Sequence, residues 1–419
     1  MISTDRKKIW LWCLYDFANS LAMTSFSFYF VLWLIDDHQK GDLWVSVPVA
    51  LSTLLLFFTL PALGGRSDRQ GKRMPYLIGF TWISFMTLFL LGILALKINV
   101  FTWIPLFLIT FLYFLFQYSF QASLGFYHSL INDLTGPTKE RISGWGMAAN
   151  QVGSIVGLIV TYPIAEGLVS FNGISGRSAT FLVSSILFLL FCLPVLLFLK
   201  DSQKTMASKE NNPSNPSIKE TLSNLKNIRQ APGVLPYLIA YYCFADAILT
   251  LQLFVAIYLE FVAGFTDGEK TLSGVLALLF AIAGALLSGK IAEIFKSTKR
   301  AITFLIALFA LLIGALALAQ STWNFMIIMM LTGFAYGALF SLSRAYYSHL
   351  VPADRQGEFF GLYVLFERFA SFLGPLMWSG TIFFFAFLGK VPSYRLAMLF
   401  LGILIAIGLI PLRFVKDKA

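Results

Sequence analysis

The sequence predicts an all-α polytopic membrane protein, with twelve transmembrane helices arranged as two pseudo-symmetric six-helix bundles. The chain has 419 residues, of which 58% are hydrophobic and only 12% are charged. No soluble globular domain needs so much apolar surface. The apolar stretches are continuous runs rather than alternating patterns, which indicates membrane-spanning helices instead of barrel strands. Polar residues also recur at fixed spacings in the two halves, and this indicates an internal repeat.

Twelve apolar segments each reach or approach the roughly 20 residues that cross a hydrocarbon core of about 30 Å. Their predicted limits are 9–35, 42–63, 74–96, 101–130, 143–167, 178–199, 234–262, 270–289, 301–319, 323–348, 359–386 and 396–414. They divide the chain into an N-terminal bundle over 1–199, a cytoplasmic linker over 200–233 and a C-terminal bundle over 234–419. The linker is the one long polar interruption, and its Asn- and Pro-rich composition is typical of a disordered tether.

The two halves repeat each other in their polar positions. Residues of the fourth segment recur in the tenth at a constant offset of 220, with Phe120, Ser123, Tyr127 and Leu130 matching Phe340, Ser343, Tyr347 and Leu350. Near the starts of the two halves, Cys13-x-x-Asp16 is echoed by Cys243-x-x-Asp246. Self-similarity of this kind in a very apolar chain is typical of a secondary transporter built from two bundles.

The Lys and Arg residues are distributed unevenly between the two sides of the predicted membrane. Of the 31, the loops on one side carry 23, those on the other side carry 6, and 2 lie within spans. This imbalance predicts that both termini are cytoplasmic, and a bacterial inner membrane is the simplest location. It also explains the net charge of +10 as a topology signal rather than a nucleic-acid-binding surface. The outer-loop acids Asp36, Asp37 and Asp42 are predicted to be solvated charges.

Cysteine and histidine indicate no metal or cofactor chemistry. The three cysteines all lie in apolar segments, where packing is their expected role, and the three histidines have no acidic cluster beside them. The sequence also contains no Walker loop that would bind ATP. We therefore expect no metal, no cofactor, no catalytic residue and no enzymatic activity.

Two aspartates lie inside predicted spans, where an ionised carboxylate costs roughly 2.5–3.5 kcal/mol. Asn19 follows Asp16 by three residues, so both side chains share one helix face. Asp246 occupies the corresponding place in the seventh segment. We predict that the carboxylates line a central cavity and bind substrate or carry protons. The alternative is that they form hydrogen bonds between helices and fix the packing.

A polar stripe in the fourth segment includes Gln117 and Gln121, and its counterpart in the tenth includes Arg344 and Tyr347. Two such stripes facing each other would form a cavity wall, which is where substrate sites occur in folds built from repeats. Arg344 either binds a substrate carboxylate or extends along the helix to the cytoplasmic surface. Both readings remain open from the sequence.

Glu367 and Arg368 are adjacent in the eleventh segment, where neighbouring helical side chains point about 100° apart. They cannot simply neutralise each other, so at least one faces another helix or a wet cavity. Glu367 is a candidate proton carrier, and the alternative is a buried structural charge network. The counterparts of this pair in the first half, Asn150 and Gln151, are candidate substrate-binding or proton-coupling residues.

The segment from Gly64 to Arg73 joins the second and third spans and reads GGRSDRQGKR. Glycines, an aspartate and several cations in a tight loop suit a hydrogen-bonded latch, whereas an ordinary positively charged cytoplasmic loop is the alternative. The latch candidates are Gly65, Asp68, Arg69, Gly71, Lys72 and Arg73. The Gly-x-x-x-Asp-Arg-x-Gly-Lys spacing resembles the signature loop of the major facilitator superfamily, and the loop over 289–300 resembles its degenerate second copy.

Further motifs narrow the resemblance to one branch of that superfamily. The segment Leu14-Tyr15-Asp16-Phe17-Ala18-Asn19-Ser20 is similar to the opening motif of the autophagy-related vacuolar amino-acid effluxers and their bacterial relatives. Segments 126–133, 142–146, 358–363 and 371–376 also match, in the right order. The sequence departs from the branch at Glu367-Arg368, where small or lysine residues are usual.

The resemblance implies the major facilitator fold, with a cavity formed chiefly by spans 1, 4, 7 and 10. It also implies alternating access by rocking of the bundles, in which Asp68 would latch near Glu358 in one end state. We accordingly expect a secondary active transporter that moves amino acids or related zwitterions by proton-coupled alternating access. Arg344 or Arg368 would hold the substrate carboxylate, and Asp16 or Asp246 its ammonium group.

Two alternatives stay open. One is a transporter of larger amphipathic compounds, such as drugs or a siderophore, and the other is a non-transporting receptor or lipid-handling protein of the same fold. The expected partners are a small-molecule substrate, a proton or another coupling ion, and the lipid bilayer. No nucleic acid is expected to bind, and the protein is expected to be a monomer.

Overall fold

In a computed structural model the chain folds into long apolar helices joined by short connections. The structure describes residues 4–70, 72–97, 102–130, 134, 139–170, 173–200, 233–351, 363, 366–367 and 369–415. Within these ranges, eleven helices are long and apolar enough to cross a membrane. The prediction of an all-α polytopic membrane protein is thereby confirmed. The predicted linker over 200–233 lies outside the described residues except at its two ends.

The first half of the chain forms α1 (Thr4–Leu32), α2 (Leu43–Gln70), α3 (Met74–Lys97), α4 (Trp103–Ser129), α5 (Lys139–Ala165) and α6 (Ala179–Phe198). The second half forms α7 (Val234–Tyr258), α8 (Asp267–Ile294), α9 (Thr298–Leu318), α10 (Thr322–Leu350), α11 (Leu373–Phe384), α12 (Lys390–Ile407) and the short α13 (Leu409–Leu412). The eleventh segment was expected over 359–386. The helix that represents it, α11, has 12 residues and begins only at Leu373, because residues 370–372 directly before it form a turn.

The first helices of the two halves end in the same way. Each continues into a π-helical turn of five residues, over Trp33–Asp37 after α1 and over Leu259–Ala263 after α7. Acids in both turns pair with cations that come later in the chain. Arg177 contacts two acids of the first turn, and Lys270 contacts Glu260 of the second. The repeat in the sequence therefore extends to the local backbone geometry.

The helices form two compact units. One comprises residues 1–39 and 54–221, and the other comprises residues 40–53 and 222–419. Helix α2 is divided between them, since its first part belongs to the second unit and its later turns belong to the first.

Within the first unit, α1 packs closely against α5. Gly153 and Gly157 of α5 lie against the backbone carbonyls of Phe17 and Leu21, so a Cβ atom at either glycine would overlap the α1 backbone. Small residues at a helix interface let two backbones approach closely. This close approach places the polar side chains of α1 within hydrogen-bonding distance of α5.

Within the second unit, α8 and α10 pack in a similar manner. Gly333 and Gly337 of α10 lie against the backbone carbonyls of Ala277 and Ala281 in α8. Gly284 of α8 in turn lies against the α10 backbone. Glycines thus set the close helix contacts in both units.

The second span extends further than its apolar sequence predicts. Its expected end was residue 63, but α2 continues to Gln70. Gly65, Asp68 and Arg69 therefore lie on a helix and not in the predicted loop. Backbone hydrogen bonding continues into polar residues there, because charged side chains at the end of a spanning helix can reach water without unwinding it.

Candidate functional site

Asp16 lies in α1 and is only 6% exposed. Its Oδ1 atom accepts a hydrogen bond of 3.1 Å from the Nδ2 atom of Asn150 in α5. The close approach of these helices also places the carboxylate beside Gly146, where a Cβ atom would lie 3.0 Å from Oδ2. The structure therefore brings together two predicted site residues that are 134 positions apart in the chain.

The aromatic residues around Asp16 fix the start of α1 against α4. The indole of Trp12 donates a 3.3 Å hydrogen bond to the Tyr127 carbonyl, and the Tyr127 hydroxyl donates one of 3.0 Å to the Trp12 carbonyl. The two rings are stacked, with centroids 4.7 Å apart. These reciprocal contacts join α1 to α4 one turn before Asp16.

Asn19 lies one turn after Asp16 and is 2% exposed. Neither atom of its amide forms a hydrogen bond with any residue that the structure describes. Leaving a buried polar group unsatisfied costs on the order of 1–3 kcal/mol. An amide in this position destabilises the fold unless something else binds it, which makes Asn19 a candidate ligand-binding group.

The other predicted polar residues of the first unit differ in burial. Gln117 is buried, and its Nε2 atom donates a 2.8 Å hydrogen bond to the hydroxyl of Tyr113 one turn earlier. Gln151 is 9% exposed, whereas Asn150 and Gln121 are half-buried. The amide of Gln117 is thus partly satisfied within α4, in contrast to the amide of Asn19.

Asp246 lies in α7 and is completely buried. Its Oδ2 atom accepts a 2.7 Å hydrogen bond from the backbone N–H of Gly374, the second residue of α11. The first N–H groups of a helix have no partner within that helix, and a negative charge near them is favourable. Asp246 therefore binds the start of α11 from a neighbouring helix, which supports the packing alternative for this residue.

The surroundings of Asp246 leave no room for a larger residue at position 374. A Cβ atom on Gly374 would overlap the Thr250 hydroxyl and lie 2.9 Å from Asp246 Oδ1. Thr250 itself donates a 2.7 Å hydrogen bond to the backbone carbonyl of Asp246. Asp246 Oδ1 has no hydrogen-bond partner among the described residues. One oxygen of the carboxylate is thus used in packing, and the other stays without a partner in the described part of the chain.

Tyr347 belongs to a cluster of buried tyrosines in the second unit. Its ring centroid lies 5.9 Å from that of Tyr237 and 4.9 Å from that of Tyr363. Tyr241 completes the row, 4.5 Å from Tyr363. The Arg344 guanidinium, on the exposed side of α10, lies within hydrogen-bonding reach of the Tyr363 hydroxyl.

Glu367 is half-buried and lies close enough to act electrostatically on Tyr241 and Tyr363. Arg344 acts on the same two tyrosines. Arg368 lies outside the described residues, so the proposed role of the Glu367-Arg368 pair stays a prediction.

The predicted latch is described only in part. Lys72 is exposed, and the Arg73 guanidinium donates a 3.1 Å hydrogen bond to the carbonyl of Ser129 at the end of α4. The structure gives no account of the side chains of Asp68 and Arg69, and Gly71 lies outside the described residues. The latch therefore remains a prediction.

The prediction that the outer-loop acids are solvated is wrong for Asp42, which is 5% exposed. Its Oδ1 atom accepts a 3.1 Å hydrogen bond from the indole N–H of Trp378. The Tyr394 hydroxyl donates to the same carboxylate, 3.0 Å from Oδ1 and 2.9 Å from Oδ2. Burial raises the pKa of Asp42 to about 6, although both donors oppose that rise.

Sequence reasoning missed this site because the donors lie 336 and 352 residues after Asp42. A local pattern holds no information about such distant partners. The other two acids of that prediction, Asp36 and Asp37, pair with Arg177 at 2.9 and 2.7 Å.

The described residues contain no group of three or more His, Cys, Asp or Glu side chains placed to hold a metal ion. The cysteines Cys13, Cys192 and Cys243 are buried and unpaired. Buried polar groups within spanning helices are instead the usual components of transport pathways.

Long apolar helices and interior carboxylates define an integral membrane transporter, and comparisons with known proteins agree. The family of Vacuole effluxer Atg22 like proteins matches residues 132–418, and the chain belongs to this family. YxiO of Bacillus subtilis, an uncharacterized MFS-type transporter, is 25% identical over 97% of this chain and 94% of its own.

Two further comparisons extend this result. The multidrug resistance protein MdtG of Salmonella arizonae is 24% identical over 88% of this chain and 86% of its own. The crystal structure of the nucleoside transporter NupG shares the fold, with a TM-score of 0.77 at 10% identity, over 98% of this chain and 100% of that one. The protein is therefore a transporter of the major facilitator type and not an enzyme.

Proposed function

We propose that this protein is a proton-coupled secondary transporter of amino acids or related small zwitterions. The observation that supports this proposal is the polar face of α1, where the buried carboxylate of Asp16 precedes the buried amide of Asn19 by one turn. An ammonium group forms its strongest hydrogen bonds with a carboxylate. An amide that has no partner among the described residues can then bind a second polar group of the same ligand.

A buried carboxylate also suits proton coupling. An ionised carboxylate inside a membrane protein is costly unless a cation or a proton neutralises it. Asp16 has a neutral hydrogen-bond donor in Asn150, which orients its charge without cancelling it. A proton and the substrate ammonium group therefore compete for the same carboxylate, and this competition couples their movements.

Within the second unit, Arg344 is the proposed carboxylate-binding residue. Its side chain is exposed and lies within reach of Tyr363. A guanidinium group binds a carboxylate through two parallel hydrogen bonds, and a neighbouring tyrosine keeps it oriented. Arg368 is the alternative from the sequence.

The orientation and location are part of the proposal. The excess of Lys and Arg in one set of loops supports cytoplasmic termini. The relatives YxiO and MdtG come from bacteria, which supports an inner-membrane location. Alternating access, with the segment around Asp68 stabilising one end state, is the proposed mechanism.

Transport of larger amphipathic compounds is the second candidate function. The cluster of Tyr237, Tyr241, Tyr347 and Tyr363 favours it, because tyrosine rings give a broad apolar contact surface with polar hydroxyl groups. A relative that is 24% identical is named a multidrug resistance protein.

The deciding experiment uses the purified protein in liposomes loaded with a pH-sensitive dye. Pools of amino acids are added without an imposed gradient, and protein-free liposomes serve as the control. Proton movement that follows one pool is the expected result, and it would identify the substrate class and the coupling together. Silence with every pool, combined with proton movement on addition of amphipathic cations, would replace the proposal with the second candidate.

A further inference from the structure

The beginning of α2 is bound within the second unit by a set of residues that we call the α2 dock: Asp42, Ser46, Trp378, Ser379 and Tyr394. The Asp42 carboxylate binds the Trp378 indole and the Tyr394 hydroxyl. One turn further, the Ser46 hydroxyl forms a hydrogen bond with that of Ser379 in α11. All five side chains are buried. The dock thus joins α2 to both α11 and α12.

The aromatic partners of Asp42 are themselves fixed. Trp378 and Tyr394 pack edge to face with ring centroids 5.8 Å apart. The Trp378 ring also stacks on Phe254 of α7 at 5.2 Å, and the Tyr394 ring packs against Phe261 at 5.2 Å. The two donors therefore have packing contacts that do not involve Asp42. Together they form the binding site for the beginning of α2.

An aspartate at position 42 is unexpected if the role of this side chain is packing alone. An indole N–H and a phenol O–H can be satisfied by a neutral amide of the same shape, without the cost of burying a charge. Asp42 differs from an amide in one property, which is that it can gain and lose a proton. The charge of this side chain therefore depends on pH. Asp42 lies between two membrane-spanning segments and outside both of them.

The charged groups around the dock are few in the described part of the chain. On α12, Lys390 acts on Asp42 through its charge, and its Nζ atom lies 3.2 Å from the centroid of the Phe261 ring. Beside Phe261, Glu260 pairs with Lys270, which also contacts Asp267 at 2.5 Å.

The other elements at the dock contribute little charge. Helix α11 places Trp378 and Ser379 there, and neither side chain titrates. On α12 the phenol of Tyr394 is a further titratable group, and the neighbouring Arg395 guanidinium donates to the backbone carbonyls of Ala317 and Ala319 instead of to Asp42. The loop before α2 adds Lys40, two residues from Asp42. Asp42 is thus the acid of the dock, and its hydrogen-bond donors, Trp378 and Tyr394, are both neutral.

We propose that the α2 dock is a proton-sensitive gate. Protonation of Asp42 favours binding of the beginning of α2 to α11 and α12, and ionisation of Asp42 favours its release. In the proposed orientation the dock lies on the outer side of the membrane. The proton concentration outside the cell would then set how firmly the beginning of α2 is bound. The gate requires no substrate, so it can fail while the proposed cargo is correct, and the reverse also holds.

The direction of the pH effect follows from the Asp42 pKa, which burial raises to about 6 from an ordinary value of 3.8. Release exposes the carboxylate to water and returns its pKa toward the ordinary value. Docking is therefore strongest when Asp42 is protonated, weakens as the pH rises through 6, and changes little above that. A group with a docked pKa near 6 tightens docking about tenfold between pH 8 and pH 5.

Spin labels can measure docking directly. The substitutions Val47→Cys on α2 and Val391→Cys on α12 are at positions 39% and 38% exposed, whereas the three native cysteines are buried. The full-length labelled protein is placed in nanodiscs without substrate, and the interspin distance distribution is recorded from pH 5 to pH 8. We expect a short distance to dominate at pH 5 and a longer one to grow as the pH rises, with a ratio that changes about tenfold.

Three variants test whether Asp42 is responsible. Asp42→Asn keeps a hydrogen-bond acceptor but cannot ionise, so the short distance should dominate at every pH. Tyr394→Phe removes a donor that stabilises the ionised form, so the midpoint should move to higher pH. Asp37→Asn neutralises a nearby acid that pairs with Arg177 instead, and it should leave the response unchanged.

Two outcomes would overturn the proposal. One is a distance distribution of the unmodified pair that does not change between pH 5 and pH 8. The other is a wild-type pH response that persists in Asp42→Asn, or that Asp37→Asn abolishes, because the titrating group would then lie elsewhere.

Discussion

Asp16 and Asp246 occupy matching positions in the two halves of the repeat, yet their carboxylates have different partners. Asp16 accepts a hydrogen bond from the side-chain amide of Asn150, whereas Asp246 accepts one from the backbone N–H of Gly374. A side-chain amide can rotate away and let a ligand take its place. A backbone N–H in the first turn of a helix cannot move without disturbing that helix. The two acids are therefore suited to different roles.

The difference shows that matching positions in the two halves of the repeat need not have matching contacts. Both positions bury a carboxylate within a spanning helix, and the sequence alone suggests one role for both. The contacts separate them, because a buried acid that binds a helix start contributes to folding. An acid whose hydrogen bond comes from a side-chain amide can exchange that donor for a ligand without disturbing a helix backbone. Variants at the two positions can test this separation.

The largest effect on transport is expected for Asp16→Asn. Losing a charge-assisted contact to an ammonium group costs about 1.5–3 kcal/mol, so substrate affinity should fall roughly 10- to 100-fold. Proton movement should be lost with it, while stability should change little because the amide can still pair with Asn150. The measurement is the substrate-driven proton flux of the reconstituted protein. Asp246→Asn is the control, and equal flux losses in both variants would contradict the separation.

The largest effect on stability is expected for Asp246→Ala. This change leaves the buried N–H of Gly374 without its acceptor, which should lower the free energy of unfolding by about 1–3 kcal/mol. Asp246→Asn should recover much of this loss, since its side-chain oxygen can accept the same hydrogen bond. Thermal unfolding of the solubilised protein measures both variants. Normal stability of Asp246→Ala together with lost transport would show that Asp246 acts on the substrate instead.

Gly374→Ala tests the same contact from the other side. The new Cβ atom would overlap the Thr250 hydroxyl and crowd the Asp246 carboxylate, and overpacking of this kind should cost about 1 to 2 kcal/mol. Gly380→Ala in the same helix is a matched control, because no atom lies within 4 Å of its added Cβ. Thermal unfolding should therefore separate the two variants clearly. Equal unfolding temperatures would mean that the start of α11 adapts without cost.

Sequence reasoning recovered the spanning helices, because hydropathy is a local property that needs no knowledge of the partner helices. The end of α2 was placed too early, since helical hydrogen bonds continue past the last apolar residue to Gln70. The repeat identified Asp16 and Asn150 as candidates, but it gave no sign that they would bind each other. That contact depends on glycines of α5 that bring two backbones together.

The remaining error concerns acids whose environment is set by distant parts of the chain. Asp42 reads as one of three acids in a polar connection, and two of the three do lie at the surface beside Arg177. Its burial depends on Trp378 and Tyr394, which a single sequence cannot place next to it. Arg368 and the side chain of Asp68 lie outside what the structure describes, so their roles stay predictions.

The smallest effect on stability is expected for Asn19→Leu. Its direction tests whether the Asn19 amide is hydrogen-bonded in the folded protein. An amide without a partner among the described residues destabilises the fold, so an apolar side chain of similar size should raise the free energy of unfolding by up to about 1 kcal/mol. Transport should fall at the same time if the amide binds the substrate.

Gln117→Leu is the matched control, because the amide of Gln117 is bonded to the Tyr113 hydroxyl. The same exchange of an amide for a leucine should destabilise the protein there, since it leaves a buried hydroxyl without that bond. Opposite changes in unfolding temperature at the two positions are therefore expected. A loss of stability in Asn19→Leu would show that this amide is satisfied in the resting protein. Asn19 would then no longer be part of the proposed ammonium site beside Asp16, because an amide that is already hydrogen-bonded cannot bind the substrate.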